Sequence, residues 1–214
     1  MGSSKDYSFK VIVVGSMAVG KSGLLRRFVD GDFNHASPIT IGIDFKTKFI
    51  TIDGEIIEAQ IWDTWDLERF KSITQALYRG ADGVLLIYDI SHQESFQNLG
   101  QWLRDIRRNT KEDAVTALVG NKTDLRLERV ISSEKASQFA TEHGLPFIEV
   151  SALDNSNVEL AFRNLLQEIY NKKKKAESEL TSKKKKEAKE EEERMRRDVL
   201  RIERPRERSK SPCC

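Results

Sequence analysis

Apolar and polar positions along the chain change period in a regular order. Lys10 to Val14 is a short apolar run ending at Gly15, the mark of a strand buried on both faces, and Lys21 to Val29 follows with helical spacing. Asp44 to Ile52 and Glu55 to Trp62 read as two strands joined at Asp53-Gly54, a dipeptide that favours the positive φ angles of a tight hairpin, so they are expected to pair antiparallel. The chain then alternates: a strand over Gly83 to Ile90, a helix over about Glu94 to Asn109, a strand over Val115 to Gly120, a helix over about Ser133 to His143, a strand over Phe147 to Val150 and a helix over about Asn157 to Tyr170. Ser132 or Ser133 can cap one helix, Gly144 can end it, and Ser156 with Glu159 has the spacing of a capping box for the next. This βα rhythm predicts an α/β fold: a mostly parallel, doubly wound sheet with one antiparallel edge strand and helices on both faces.

From Lys172 the text changes to blocks of Lys, Glu and Arg with almost no core formers. The domain boundary is therefore expected at 170/171, with a charged tail over 171–214. Lys183/Glu187, Lys186/Glu190, Glu190/Arg194, Glu192/Arg196 and Glu193/Arg197 sit at i,i+4, which predicts a solvated, partly helical stalk ending near Pro205. Met195, Val199 and Ile202 would share one face of it. Charge divides at the same boundary. Residues 1–170 carry 19 Lys+Arg against 24 Asp+Glu, and the tail carries 17 against 10, so a body at −5 bears a tail at +7. The only cysteines, Cys213 and Cys214, are the last two residues, which leaves the body no thiol for a disulfide framework, a zinc site or a nucleophile. The N-terminal text MGSSKDYS has no signal-like apolar region and no run approaches a membrane span, so the body is expected in the cytosol.

Gly15-Ser16-Met17-Ala18-Val19-Gly20-Lys21-Ser22 matches G-x-x-x-x-G-K-[ST] between a strand and a helix, as that motif requires. Backbone N–H groups of the loop and the helix N-terminus would cradle phosphates, with Lys21 on the outer ones and the Ser22 hydroxyl on Mg²⁺. The bland alternative is a glycine turn before Lys-Ser. The base is argued from Asn121-Lys122-Thr123-Asp124 at the end of a parallel strand, where such folds place their ligand crevice. A carboxylate there accepts both the N1 and N2 protons of guanine, a donor pair adenine lacks, so Asp124 selects guanine. Ser151 and Ala152, with Leu153 beside them, would close the base pocket after the next strand.

At this point the body, about Ser8 to Tyr170, resembles a Rab-type small GTPase of the Ras superfamily. Beyond the two motifs, the likeness rests on Thr40-Ile41-Gly42-Ile43-Asp44-Phe45-Lys46, Ile61-Trp62-Asp63-Thr64, Glu68-Arg69-Phe70, Tyr78-Arg79-Gly80-Ala81 and Tyr88-Asp89-Ile90. Ala59-Gln60-Ile61-Trp62 and Ser151-Ala152-Leu153-Asp154 look most like the subgroup that works on recycling endosomes and the trans-Golgi. The resemblance implies a P-loop small G domain with a six-stranded sheet, binding GTP and GDP with Mg²⁺ and switching vesicle traffic. By position, it makes Thr40 the metal-coordinating, γ-phosphate-sensing threonine, Asp63 a holder of the metal's water shell, and Phe33 a ring against the guanine. Strand-edge hydroxyl, turn carboxylate and ordinary core ring are the respective alternatives. It also implies exchange factors, GTPase-activating proteins, effectors at the switch regions, prenylation escort and GDP-dissociation-inhibitor proteins as partners of a monomeric chain. The ending Pro212-Cys213-Cys214 is similar to the Rab pattern for two prenyl groups, which with the basic tail would place the protein on the cytoplasmic face of endomembranes, with a cytosolic pool.

The departures from that pattern concern catalysis. Where the family reads Asp-Thr-Ala-Gly-Gln, this chain reads Asp63-Thr64-Trp65-Asp66-Leu67. Leu67 has no group to orient the attacking water, the role the family glutamine plays. Asp66 keeps the N–H that faces the γ-phosphate but adds a carboxylate. Trp65 is a ring large enough to need packing, and Met17 stands where a small residue is common. No catalytic residue is thus intact, with Lys21 and Thr40 in support, and hydrolysis is expected to be slow. Rival readings are a nucleotide-binding scaffold without hydrolysis, a P-loop small-molecule kinase, which the guanine motif and terminal Cys-Cys oppose, and a tail that binds nucleic acid, which the body charge and interleaved glutamates oppose.

Overall fold

The computed structural model describes residues 5–33, 43–64 and 76–202. In chain order the elements are β1 (Tyr7–Val14), α1 (Lys21–Asp30), β2 (Ile43–Ile52), β3 (Glu55–Thr64), β4 (Gly83–Asp89), α2 (Gln93–Gln97), α3 (Leu99–Asn109), β5 (Val115–Asn121), α4 (Ser133–His143), β6 (Phe147–Glu149) and α5 (Val158–Ile202). They form a six-stranded sheet in the order β2-β3-β1-β4-β5-β6. β2 and β3 run antiparallel, and every other neighbouring pair is parallel. The hairpin turn has φ 49° at Asp53 and φ 85° at Gly54, the two positive angles that match the twist of the strands it joins.

Alternation along β1 sends successive side chains to opposite layers. Val11 and Val13 pack with Leu24, Leu25 and Phe28 of α1 and Phe162, Leu165 and Leu166 of α5. Ile12 and Val14 pack with Trp102, Leu103 and Ile106 of α3 and Ala136 and Ala140 of α4. β4, covered on both faces, is buried along its whole length, which is why it reads as an unbroken apolar run.

Four local expectations are corrected. β1 starts at Tyr7 rather than Lys10, because its first residues alternate: Tyr7 and Phe9 pack on the α1/α5 side while the Ser8 hydroxyl donates to Glu58. The single helix expected over Glu94 to Asn109 is two, joined at Asn98, where the Gln101 N–H closes a tight turn on the Asn98 carbonyl at 3.0 Å. The helix expected from about Asn157 begins at Val158, but the Ser156/Glu159 capping box expected there does not form. Asn157 takes φ 57°, outside the helical region, and Glu159 instead accepts from Lys48 at 2.9 Å and Arg163 at 3.1 Å. The remaining strand ends shift by one or two residues. Ser132 does cap α4, accepting the Lys135 N–H at 3.2 Å, and Gly144 closes it at φ 67°.

The chain divides into two compact units, Met1–Tyr170 and Asn171–Cys214. Within the second, 171–202 is helical, and Lys183 and Glu187 form an i,i+4 ion pair there at 3.9 Å, where solvent leaves it little strength. Met195 is exposed there. Among the described residues, no helix is long and apolar enough to cross a membrane.

Candidate functional site

Register brings the working ends of four strands together. Val13 of β1 lies beside Asp63 of β3, and Asp89 of β4 lies beside Asn121 of β5. The C-terminal ends of these parallel strands therefore deliver the glycine-rich loop, an acidic residue and the Asn121–Asp124 motif to one rim, where open α/β sheets hold ligands.

The phosphate loop passes from β1 into α1 through two positions that only glycine can fill. A Cβ on Gly15 would lie 2.1 Å from the Ile87 carbonyl oxygen, and one on Gly20, where φ is 95°, would lie 2.4 Å from Asn121 Nδ2. Ala18 also has positive φ, Val19 is buried, and Met17 is 63% exposed at the lip. Lys21 curls back over the loop, its Nζ donating to the carbonyls of Gly15 at 2.7 Å and Ser16 at 2.9 Å. The Ser16 hydroxyl accepts from Asn98 Nδ2 at 3.4 Å and Trp102 Nε1 at 3.5 Å, so the joint between α2 and α3 rests on the loop.

The Ser22 hydroxyl donates to Asp63 Oδ2, and Asp63 is only 2% exposed. A hydroxyl and a buried carboxylate in contact at a helix N-terminus are hard oxygen donors, the set that Mg²⁺ takes together with phosphate oxygens. The donors present therefore fit the metal. Thr40, Trp65, Asp66, Leu67, Cys213 and Cys214 lie outside the described residues.

At the base end, Asn121 is buried and its Nδ2 donates to the Val19 carbonyl at 2.8 Å. Ser151 is fully buried. Its hydroxyl donates to Asp124 Oδ1 at 2.5 Å while accepting the N–H groups of Leu153 at 3.1 Å and Asp154 at 3.2 Å. Asp124 thus stands fixed against the following loop. Arg27 clamps that loop to α1: Nε donates to the Ala152 carbonyl at 2.9 Å and Nη2 to that of Leu153 at 3.0 Å. Phe33 is half-buried against the α1/α5 core, with Arg27 5.7 Å above its ring and Gly23 beneath it.

The site thus holds together Gly15 to Ser22, Asp63, Asn121, Lys122, Asp124 and Ser151 to Leu153. Four further residues join them that motif reading passes over: Arg27, Asp89, Asn98 and Trp102. Only Asp89 carried a signal, as a carboxylate ending an apolar strand.

This fold and this rim define a P-loop nucleotide-binding protein. A model of the Ras family matches residues 10–171, and the chain belongs to that family. It is similar to GTP-binding protein ypt3 of Schizosaccharomyces pombe, with 51% identity over 165 residues, 77% of each chain. The family's ligands are GTP and GDP with Mg²⁺ and its members hydrolyse GTP; these are the cofactors of this chain.

Proposed function

We propose that the chain is a Rab-type GTP/GDP switch of vesicle traffic, attached to membranes through its C-terminal cysteines and slow to hydrolyse GTP. The observation that carries the nucleotide half is the direct bond between the guanine motif and the phosphate loop, Asn121 Nδ2 to the Val19 carbonyl at 2.8 Å. A ligand that spans both must present phosphates at one end and a base at the other. Backbone groups of Gly15 to Gly20 and the Lys21 ammonium hold the phosphates; Ser22, Thr40 and, through water, Asp63 hold Mg²⁺. Asp124 accepts the guanine protons, Asn121 and Lys122 frame the base, Ser151, Ala152 and Leu153 close it, and Phe33 lies on its edge. Asp66 offers its N–H to the γ-phosphate.

The trafficking half is supported by the likeness to a GTP-binding protein and by the Rab-like segments. In this reading Cys213 and Cys214 each take a prenyl chain, and the tail at +7 adds attraction to anionic cytosolic leaflets. Exchange factors, GTPase-activating proteins, effectors and GDP-dissociation inhibitor are its partners, recycling endosome or trans-Golgi its membrane, and the G domain (1–170) and tail (171–214) its two parts. Leu67 in place of the water-orienting glutamine favours a second reading, a GTP-binding scaffold with negligible turnover.

Asp124→Asn tests the base assignment. An amide can no longer accept both guanine protons, and each charge-assisted hydrogen bond is worth roughly 1.5–3 kcal/mol. Preference is expected to move from guanosine to xanthosine nucleotides in a competition assay. Unchanged guanine preference would remove the assignment.

A further inference from the structure

Asp89 ends β4, and the register sets it directly beside Asn121 of the guanine motif. Its carboxylate is almost wholly shielded, with 7% of the side chain exposed, and is held at both oxygens. Oδ1 accepts the Ser91 N–H at 2.8 Å and the Ser91 hydroxyl at 2.7 Å, and Oδ2 lies 2.6 Å from Lys122 Nζ. Its backbone N–H is fixed too, donating to Ser95 Oγ at 3.1 Å. Lys122 takes the left-handed φ of 69°, which an L side chain adopts only when its surroundings impose it. Its side chain passes close to the phosphate loop at Gly20, where an added Cβ would lie 3.9 Å from Lys122 Cε. Lys122 therefore runs from the end of β5, along the lip of the loop at Gly20, to a mooring on β4.

We propose that Asp89 is a positioning residue that pins Lys122 along the phosphate loop and thereby sets how slowly guanine nucleotide leaves. An ammonium on a four-carbon stem is floppy, and ordering it costs side-chain entropy. The Asp89 carboxylate meets that cost before the ligand arrives. The pin also resists opening, because a shielded carboxylate that loses its cation is left with an uncompensated charge. The inference rests on Lys122 lining the nucleotide site as proposed above.

The test is the release rate of a fluorescent GDP analogue from the full chain, chased with excess GDP, in wild type, Asp89→Asn, Lys122→Met and the double variant. Asp89→Asn keeps the shape and the Ser91 contacts but removes the charge, and is expected to speed release about tenfold. Lys122→Met is expected to do at least as much, and the double variant to release no faster than Lys122→Met alone, since Asp89 acts through Lys122. Ser91→Ala, a milder loosening of the same carboxylate, carries the test if Asp89→Asn does not fold. It should speed release severalfold when Lys122 is present and leave the rate unchanged in Lys122→Met. Release within twofold of wild type in Asp89→Asn overturns the proposal. So does an acceleration that persists in full without Lys122, which would make Asp89 a prop for the turn alone. Asp124→Asn in the same assay with GDP and xanthosine diphosphate separates the two levels. If its base preference switches while Asp89→Asn is silent, only the pin is wrong. If its preference stays with guanine, the site reading beneath it has failed.

Discussion

The side-chain amide of Asn121 donates to the carbonyl of Val19 across 2.8 Å, so the end of β5 and the phosphate loop, 102 residues apart, are joined by one buried hydrogen bond. Gly20 is the reason they can meet: any side chain there would fill the space the amide occupies. Asn121→Ala leaves the Val19 carbonyl without its donor inside the protein, which costs about 1–3 kcal/mol. Denaturant unfolding of the variant should show an unfolding free energy lowered by that amount, and GDP affinity should fall with it. A variant as stable and as tight as wild type would mean that the two hold their places independently.

Arg27 makes a different kind of join, from a helix to the base loop through a fork of donors. Its guanidinium serves the carbonyls of Ala152, Leu153 and, at 2.9 Å, Gly31. A lysine cannot present three donors in that plane. Arg27→Lys should therefore weaken GDP binding nearly as much as Arg27→Ala, by about 1 kcal/mol for these partly solvated bonds. Hydrogen exchange at the amides of 151–154 is the direct readout. Wild-type protection in Arg27→Lys would show that charge alone suffices.

Much of this was legible in the residues because it is local. The βα rhythm comes from apolar runs of strand length, the hairpin from Asp53-Gly54, and the phosphate loop from glycines that a tight strand-to-helix turn requires. What escaped was set by partners far away in the chain. The joint at Asn98 falls before Gly100 rather than on it, and the Asn98 side chain reaches Ser16, 82 residues earlier. The Ser156/Glu159 spacing is that of a cap, but Lys48 on β2 and Arg163 take the glutamate. Asp89 became a site residue only once the register placed it beside Asn121.

Tyr88 offers a test of packing against polarity. Its ring meets Phe96 edge-on at 5.1 Å, while its hydroxyl is buried without a hydrogen-bond partner among the described residues and burial pushes its pKa above the usual phenol range. A buried donor with no acceptor is a liability. Tyr88→Phe should be neutral or stabilise by up to about 1 kcal/mol, whereas Tyr88→Ala should cost about 3–5 kcal/mol through the cavity it leaves. Thermal or denaturant unfolding of the two variants separates these contributions. Destabilisation by Tyr88→Phe would show that the hydroxyl is satisfied by solvent in the folded protein.

Hydrolysis is the property in which this chain should depart most from its family. Leu67 cannot orient water, while the phosphate loop, Lys21 and the Ser22/Asp63 donors remain to stabilise charge. That combination favours a long-lived GTP state. In the site proposed above Asp66 would oppose it, because a carboxylate held within about 4–6 Å of the γ-phosphate is repelled by about 3–4 kcal/mol at an effective dielectric near 20, before side-chain rotation and the nearby cation relieve it. A residue of even about 1.4 kcal/mol shifts the GTP:GDP affinity ratio tenfold. Single-turnover hydrolysis on purified protein should therefore be slow, Leu67→Gln alone should restore it only in part, and Asp66→Gly should raise affinity for GTP relative to GDP. Turnover as fast as that of an ordinary family member would remove the argument from Leu67. An affinity ratio unmoved by Asp66→Gly would remove the argument from Asp66, since the two substitutions act on different steps and fail separately.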